Sequence, residues 1–120
     1  MVSIAVMGHG VVGSGVVEVL YKNQTSIDQR AGEEIRLKYV LDLLDFPGLR
    51  YSDKFIKDFS IIENDPEVSV VVEVMGGLNP AYDFVKRCLL AGKSVVTSNK
   101  ELVAAKGGEL LTIARDCNVN

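Results

Sequence analysis

The chain has 120 residues, of which 48% are hydrophobic and 24% charged, and its formal net charge is −3. This length predicts a single domain over residues 1–120 with a buried core. Because there is no basic cluster, no apolar run of the roughly 20 residues that span a bilayer and no signal peptide, we expect a cytoplasmic protein that binds neither nucleic acid nor a membrane.

A short apolar run at the start of the chain ends at a cluster of glycines. Residues 2–6 are mostly apolar, which predicts a buried strand. Gly8, Gly10 and Gly13 follow with the spacing G-x-G-x-x-G. Beyond them, apolar residues recur at helical spacing, which predicts one long helix that ends near Gly32.

This strand, glycine turn and helix together form a candidate phosphate site. Gly8 permits the tight turn, Gly10 lets the main chain approach a pyrophosphate, and Gly13 lets the helix pack closely on the strand. The helix N-terminus, at Val11 and Val12, presents unpaired N–H groups to phosphates. These residues predict a dinucleotide-binding site; the alternative is a glycine turn that serves packing alone.

A second strand is predicted over residues 34–44, where polar and apolar residues alternate before the segment becomes apolar. Asp42 lies near its C-terminal end, where a carboxylate accepts hydrogen bonds from the adenosine ribose and repels a 2′-phosphate. Asp42 is farther from Gly13 than the usual spacing of about 20 residues, which the long first helix accommodates. Asp45 is the competing candidate, although residues 45–48 also have the composition of a solvated turn.

The middle of the chain predicts a short helix and a third strand. Residues 49–60 carry no clear pattern, and residues 59–62 indicate a short helix before a turn. Residues 68–75 form a nearly continuous β-branched run, typical of a strand that is covered on both faces of a parallel sheet. The run ends at Gly76 and Gly77, so this predicted strand, like the first, is followed by a glycine turn. Open α/β sheets bind ligands at such positions.

Glu73 lies inside this apolar run. An ionised carboxylate is costly there unless it has hydrogen-bond partners. One interpretation makes Glu73 a support for the site beneath the two glycines. The other makes it a structural hydrogen-bond acceptor or an exposed edge residue, and the sequence leaves both open.

A helix is predicted to start at Asn79 as N-cap and Pro80 as first helical residue, and to stop at Gly92. Cys88 falls on its apolar face, and Cys117 lies near the end of the chain. Because the two cysteines lack metal-ligand spacing, we expect reduced thiols and no metal site. The predicted buried face comprises Phe84, Val85, Cys88 and Leu89.

A fourth strand over residues 94–97 leads into the last helix. Ser98 and Glu101 have the spacing of a capping box, with Ser98 as N-cap, and the Gly107-Gly108 pair predicts a break in the helix. Residues 117–120 point toward a further strand.

Lys100 occupies the first turn of this helix, where a cation opposes the helix dipole. A ligand with negative or carbonyl character at the end of the strand would compensate; the alternative is a solvated lysine. The elements together predict an α/β fold of the Rossmann type, a doubly wound, mostly parallel sheet with helices on both faces. The turns after the first, third and fourth predicted strands then converge at one edge of the sheet.

The chain resembles the N-terminal nucleotide-binding part of homoserine dehydrogenases. The resemblance is carried by GHGVVGSGVVEVL, by VVVEVMGG, by the Asn79-Pro80 helix start and by VVTSNKELVA. It implies a pyridine-nucleotide-dependent enzyme that interconverts L-homoserine and L-aspartate 4-semialdehyde in threonine and methionine biosynthesis. The residues it assigns are Gly8 to Gly13 for the pyrophosphate, Gly76 and Gly77 for the nicotinamide side, Thr97, Ser98 and Asn99 at the border of cofactor and active site, and Lys100 as the candidate catalytic residue where cofactor and substrate meet.

Three features depart from the family pattern. Leu43 stands where relatives often have a basic residue that meets a 2′-phosphate, which favours NAD over NADP. His9 occupies a commonly apolar position. The family's main acid/base residues and its dimer-forming sheet lie beyond residue 120, so we expect a cofactor-binding fragment of a homodimeric enzyme. The alternatives are another Rossmann oxidoreductase acting on a related amino-acid aldehyde or imine, and a non-catalytic nucleotide-sensing domain.

Overall fold

The computed structural model describes residues 2–44 and 46–120. Within them, all pairs of neighbouring strands are parallel, and the order across the sheet is β3-β2-β1-β4-β5. The strands are β1 (Val2–Met7), β2 (Ile35–Leu41), β3 (Phe55–Ile56), β4 (Val68–Glu73) and β5 (Ser94–Thr97).

Helices connect the strands, and none in the described part of the chain is long and apolar enough to cross a membrane. A 3-10 turn, Ser52–Lys54, precedes β3. The α-helices are α1 (Val11–Lys22), α2 (Gln24–Ala31), α3 (Ser60–Glu63), α4 (Ala81–Leu90) and α5 (Lys100–Asp116).

Alternate residues of β1 belong to two separate cores. Ala5 and Met7 pack with buried side chains of α3, α4 and α5, whereas Val6 packs with Val17 of α1 and with Tyr51. Because successive strand residues point to opposite faces, the two cores lie on opposite sides of the sheet. The doubly wound architecture predicted from the sequence is thus confirmed.

The position of β1 defines where a ligand binds. From β1 the chain first proceeds to β2 and β3 on one side, and then returns to β4 and β5 on the other. In open parallel sheets the crevice outside the carboxyl ends of the strands at this reversal is the usual ligand site. The turns after β1 and β4 border that crevice.

The first helical region is divided, so the prediction of one long helix is wrong at Asn23. Asn23 leaves the helical conformation (φ −113°, ψ 24°) between α1 and α2. The Gln24 side chain donates to the Ile35 carbonyl at 2.6 Å, and Asp28 accepts from the Ile35 amide at 3.0 Å. These bonds direct α2 onto the start of β2. The predicted end at Gly32 is confirmed by its left-handed φ of 76°.

Two helix starts differ from the prediction. The N-cap of α4 is Pro80 rather than Asn79, and none of the described side chains caps it. The N-cap of α5 is Asn99 rather than Ser98: its Oδ1 accepts from the Leu102 amide at 3.0 Å. Asn99 is held at the N-cap position because its side chain also bonds to the turn after β4. It is therefore buried, whereas Ser98 is exposed.

The predicted break at Gly107-Gly108 does not occur, since α5 is continuous from Lys100 to Asp116. The low helix propensity of two glycines costs about 2 kcal/mol, which packing on both sides of the pair offsets. Leu102, Leu110 and Ala114 supply that packing in the larger core.

The two cysteines are free thiols, as predicted. Cys88 is buried on the inner face of α4, and burial raises the pKa of its thiol to about 12. Val85 and Leu89 are buried beside it, and Phe84 is half-buried, so the predicted inner face of α4 is confirmed.

Candidate functional site

The glycine turn after β1 is closed by contacts that leave no room for side chains. Gly8 has a φ of +106°, and its amide donates to the Leu41 carbonyl at 2.8 Å. A Cβ on Gly13 would lie 2.0 Å from the Gly8 carbonyl oxygen, so the helix packs directly on the turn. A Cβ on Gly10, in contrast, would meet nothing within 4 Å. Gly10 therefore borders open space, as expected of a residue that a ligand approaches.

The N-terminus of α1 faces the same space. Its N-cap is Gly10, and no side chain of the described residues caps it. Val11 is 91% exposed and Val12 is 55% exposed. The first-turn N–H groups and the positive end of the helix dipole are thus available to an anion.

Asp42 follows β2 directly and is bonded to the glycine turn. Its Oδ2 accepts from the His9 amide at 2.8 Å, and its Oδ1 accepts from the Leu44 amide at 2.9 Å. A carboxylate has about four lone-pair sites, so both oxygens can still accept a ribose hydroxyl. The competing candidate, Asp45, lies outside the described residues.

His9 lies in an aromatic cluster that sequence reasoning missed. Its imidazole is 7% exposed, and Nε2 lies 2.7 Å from the Tyr51 hydroxyl oxygen. The rings of Phe46, Tyr51 and Phe55 pack edge-on around it. The cluster attaches the connection between β2 and β3 to the glycine turn. Only the three aromatic residues between positions 46 and 55 hinted at it, because that segment has no periodicity.

A cleft of about 370 Å³ lies at the carboxyl ends of β1, β2 and β4. Its size falls within the usual range for small-molecule sites, about 300–1,000 Å³. Asp42 and Lys57 are its charged lining residues, and the remainder are glycine, proline or apolar. The lining residues are Gly8, Leu41, Asp42, Leu43, Lys57, Met75, Pro80 and Phe84.

The turn after β4 is a second glycine turn with left-handed backbone. Gly76 and Gly77 have φ values of 78° and 73°. Beneath them, Glu73 is fully buried and accepts from the Met75 and Gly76 amides at 2.9 and 3.3 Å. The possibility that Glu73 is an exposed edge residue is therefore wrong, whereas a support for the site and a structural hydrogen-bond acceptor both remain.

The β5–α5 turn carries the remaining candidate residues. An open depression of about 540 Å³ is lined by Thr97, Ser98, Asn99, Lys100, Val103 and Ala104. Lys100 is exposed at the start of α5 and forms no ion pair with any residue that the structure describes. The parallel sheet thus brings the glycine turn, Asp42, the second glycine turn and Lys100 to the carboxyl ends of four neighbouring strands.

This arrangement agrees with a family match. The family model described as the NAD-binding domain of homoserine dehydrogenase matches residues 8–120. The chain belongs to this family. A dinucleotide is therefore the cofactor that this domain binds, although the match does not distinguish NAD from NADP.

Similar proteins bear the same name. The homoserine dehydrogenase of Neisseria gonorrhoeae is 37% identical over 120 residues, which cover 98% of this chain and 28% of that protein. The homoserine dehydrogenase of Lactococcus lactis is 35% identical over 124 residues, with 98% and 29% covered. The crystal structure of a homoserine dehydrogenase from Thiobacillus denitrificans superposes with a TM-score of 0.91 at 36% identity, covering 98% of this chain and 28% of that chain. This chain thus spans less than a third of these relatives.

Proposed function

We propose that this chain is the dinucleotide-binding part of a homoserine dehydrogenase. In the longer protein it would serve the NAD(P)-dependent interconversion of L-homoserine and L-aspartate 4-semialdehyde. The observation that carries the proposal is the N-terminus of α1, which follows the glycine turn at the carboxyl end of β1 and is capped by no side chain of the described residues. Gly10 is its N-cap, so a side chain at this position would stand beside the first-turn N–H groups that are placed to bind the pyrophosphate.

Each candidate residue then has a defined task. Gly8, Gly10 and Gly13, with the first-turn amides of Val11 and Val12, bind the pyrophosphate. The two glycines after β4 leave the backbone open on the nicotinamide side, bordered by residues 97–99.

Lys100 is the group suited to the reacting end of the substrate. Its ammonium carries three N–H donors and lies without an ion-pair partner in the described part of the chain. It would hold the carbonyl or hydroxyl oxygen of the substrate, and hydride transfer is the chemistry that a dinucleotide held at this edge would supply. Its position at the N-terminus of α5 keeps it at the edge of the sheet where the cofactor binds.

We further propose a preference for NAD over NADP. The Asp42 carboxylate lines the cleft and would repel a 2′-phosphate, and the neighbouring Leu43 provides no compensating charge. Lys57 also lines the cleft, and its ammonium is the group that opposes this preference.

Calorimetric titration of the chain with NAD and NADP tests both proposals. Gly10→Ala should weaken NAD binding by about tenfold, because the new methyl group occupies the space of the pyrophosphate. Gly15→Ala is the matched control: it lies on the exposed face of the same helix, and its Cβ would meet nothing within 4 Å. Equal affinities in the two variants would contradict the assignment of the site.

The same titration with Asp42→Ala tests the cofactor preference. Loss of the carboxylate should bring the NAD and NADP affinities closer together. An unchanged ratio would show that Asp42 only ties the glycine turn to β2.

A further inference from the structure

Glu73 is a fully buried carboxylate at the last position of β4. It forms no ion pair with any lysine or arginine of residues 2–44 and 46–120, although a buried carboxylate needs partners to offset its lost hydration. Neutral hydrogen-bond donors are the partners of Glu73 instead. The elements that carry these donors show which parts of the fold the carboxylate joins.

Four donors converge on Glu73 from two separate turns. From its own turn, Oε2 accepts from the amides of Met75 (2.9 Å) and Gly76 (3.3 Å). From the β5–α5 turn, Oε1 accepts from the Thr97 hydroxyl at 2.5 Å, and Oε2 accepts from Asn99 Nδ2 at 3.4 Å. Because all four contacts are donors, they match a carboxylate anion, which only accepts.

Asn99 extends this set of bonds into both elements. Its Nδ2 also donates to the Gly77 carbonyl at 2.6 Å, and its Oδ1 caps α5 through the Leu102 amide. The backbone N–H of Asn99 donates to Thr97 Oγ1 at 3.0 Å. The single hydroxyl proton of Thr97 is therefore left to bond to Glu73. The second glycine turn and the start of α5 are therefore joined through one buried carboxylate.

We propose that Glu73 is a positioning residue for the nicotinamide half of the cofactor. Its carboxylate fixes the Gly76-Gly77 backbone relative to the first turn of α5, which carries Lys100. None of its four donors belongs to the glycine turn after β1, which is bonded instead to Leu41 and Asp42, so we expect the adenosine and pyrophosphate half to depend less on Glu73. This inference rests on the proposed dinucleotide function and adds to it the residue that holds the two turns together.

The test compares two ligands that differ in the nicotinamide ring. NADH contains it, whereas ADP-ribose lacks the ring and keeps the adenosine, the pyrophosphate and the second ribose. Glu73→Gln keeps the size of the side chain but replaces one of its two accepting oxygens with an NH2 group, so either the Thr97 hydroxyl or the Met75 and Gly76 amides lose their acceptor. The remaining neutral oxygen also accepts more weakly than a carboxylate. We expect the dissociation constant of the chain for NADH to rise about tenfold, and that for ADP-ribose to change less than about twofold.

Two further variants guard against a folding effect. Thr97→Val removes the same hydroxyl donor while keeping the shape of the side chain, and should produce the same selective loss. Glu34→Gln is the control. Glu34 is half-exposed just before β2, at the amino ends of the strands and away from the candidate site, so this substitution should change neither affinity. Circular dichroism verifies that each variant is folded, and hydrogen exchange should show faster exchange of the Met75 and Gly76 amides in Glu73→Gln.

The outcomes separate the inference from the function on which it rests. Selective loss of NADH affinity in Glu73→Gln and Thr97→Val supports a positioning role. Equal weakening of both ligands, or no change in either, overturns it and leaves Glu73 as a purely structural acceptor. Failure of the unaltered chain to bind even ADP-ribose would instead overturn the proposed dinucleotide function.

Discussion

Replacing Gly13 with alanine would place a Cβ atom 2.0 Å from the Gly8 carbonyl oxygen and 2.8 Å from its carbonyl carbon. Both obstructing atoms belong to the backbone, so rotation of a side chain cannot relieve the contact. The N-terminus of α1 has to move away by about 1 Å to reach a tolerable separation. That movement disturbs the packing of Val17 against Val6 in the smaller core.

The expected cost follows from two opposing effects. Forcing an extra methyl group into a closely packed site costs about 3 kcal/mol at the upper end of the usual range. The higher helix propensity of alanine returns about 1 kcal/mol. A net loss of about 2 kcal/mol is a large part of a typical stability of about 5–15 kcal/mol, and it corresponds to a fall in melting temperature of about 8 °C.

Urea unfolding followed by circular dichroism measures this difference. Gly15→Ala, two positions along the same helix, should raise the free energy of unfolding by about 0.5–1 kcal/mol because its methyl group meets open space. The reasoning is refuted if both variants shift the urea midpoint in the same direction by similar amounts.

Two further stability predictions concern a helix cap and a buried carboxylate. Asn99→Ala should lower the free energy of unfolding by at least about 1 kcal/mol, and Ser98→Ala by less than about 0.5 kcal/mol, because of these two residues only Asn99 bonds to the Leu102 amide. The urea midpoints of both variants measure this difference. Equal losses of stability would contradict the assignment of the cap. The Lys38 ammonium lowers the pKa of Asp65 from 3.8 to about 2, so this carboxylate stabilises the fold above about pH 4 and the contribution is lost as the pH falls towards 2. Asp65→Asn should therefore flatten the pH dependence of the urea midpoint between pH 4 and 2, and parallel curves for the two proteins would show that Asp65 contributes nothing.

Local patterns predicted the main strands and the positions of their turns. The runs at residues 2–6, 68–75 and 94–97 became β1, β4 and β5, because each is a short apolar segment of strand length that is followed by a turn. The short helix before Asn64 was also confirmed. The strand β3 was not predicted, since its two residues are defined only by pairing with Val40 and Leu41 of β2.

The errors share a physical cause, which is contact between residues far apart in sequence. The break at Asn23 depends on bonds from α2 to Ile35. The choice of Asn99 over Ser98 as N-cap depends on the Gly77 carbonyl. Capping rules consider only residues that are close in sequence. They therefore do not favour Asn99 over Ser98, although Asn99 both caps α5 and bonds to the turn after β4.

In the candidate site, too, the parts set by local sequence were predicted and the parts set by distant contacts were not. Its backbone parts, the two glycine turns and the N-terminus of α1, were predicted from spacing alone. The aromatic cluster around His9 was missed because Phe46, Tyr51 and Phe55 come together only after β2 and β3 pair.

The two edges of the sheet differ in their capacity to recruit another strand. On one side the sheet ends in β3, whose two residues leave little backbone free for pairing. On the other it ends in the four-residue β5, where Val96 is 58% exposed and the Val95 amide donates to the Asn120 carbonyl at 2.9 Å. Extension of the sheet is therefore expected at β5, and intermolecular β-pairing at this edge would have to compete with the contact from Asn120.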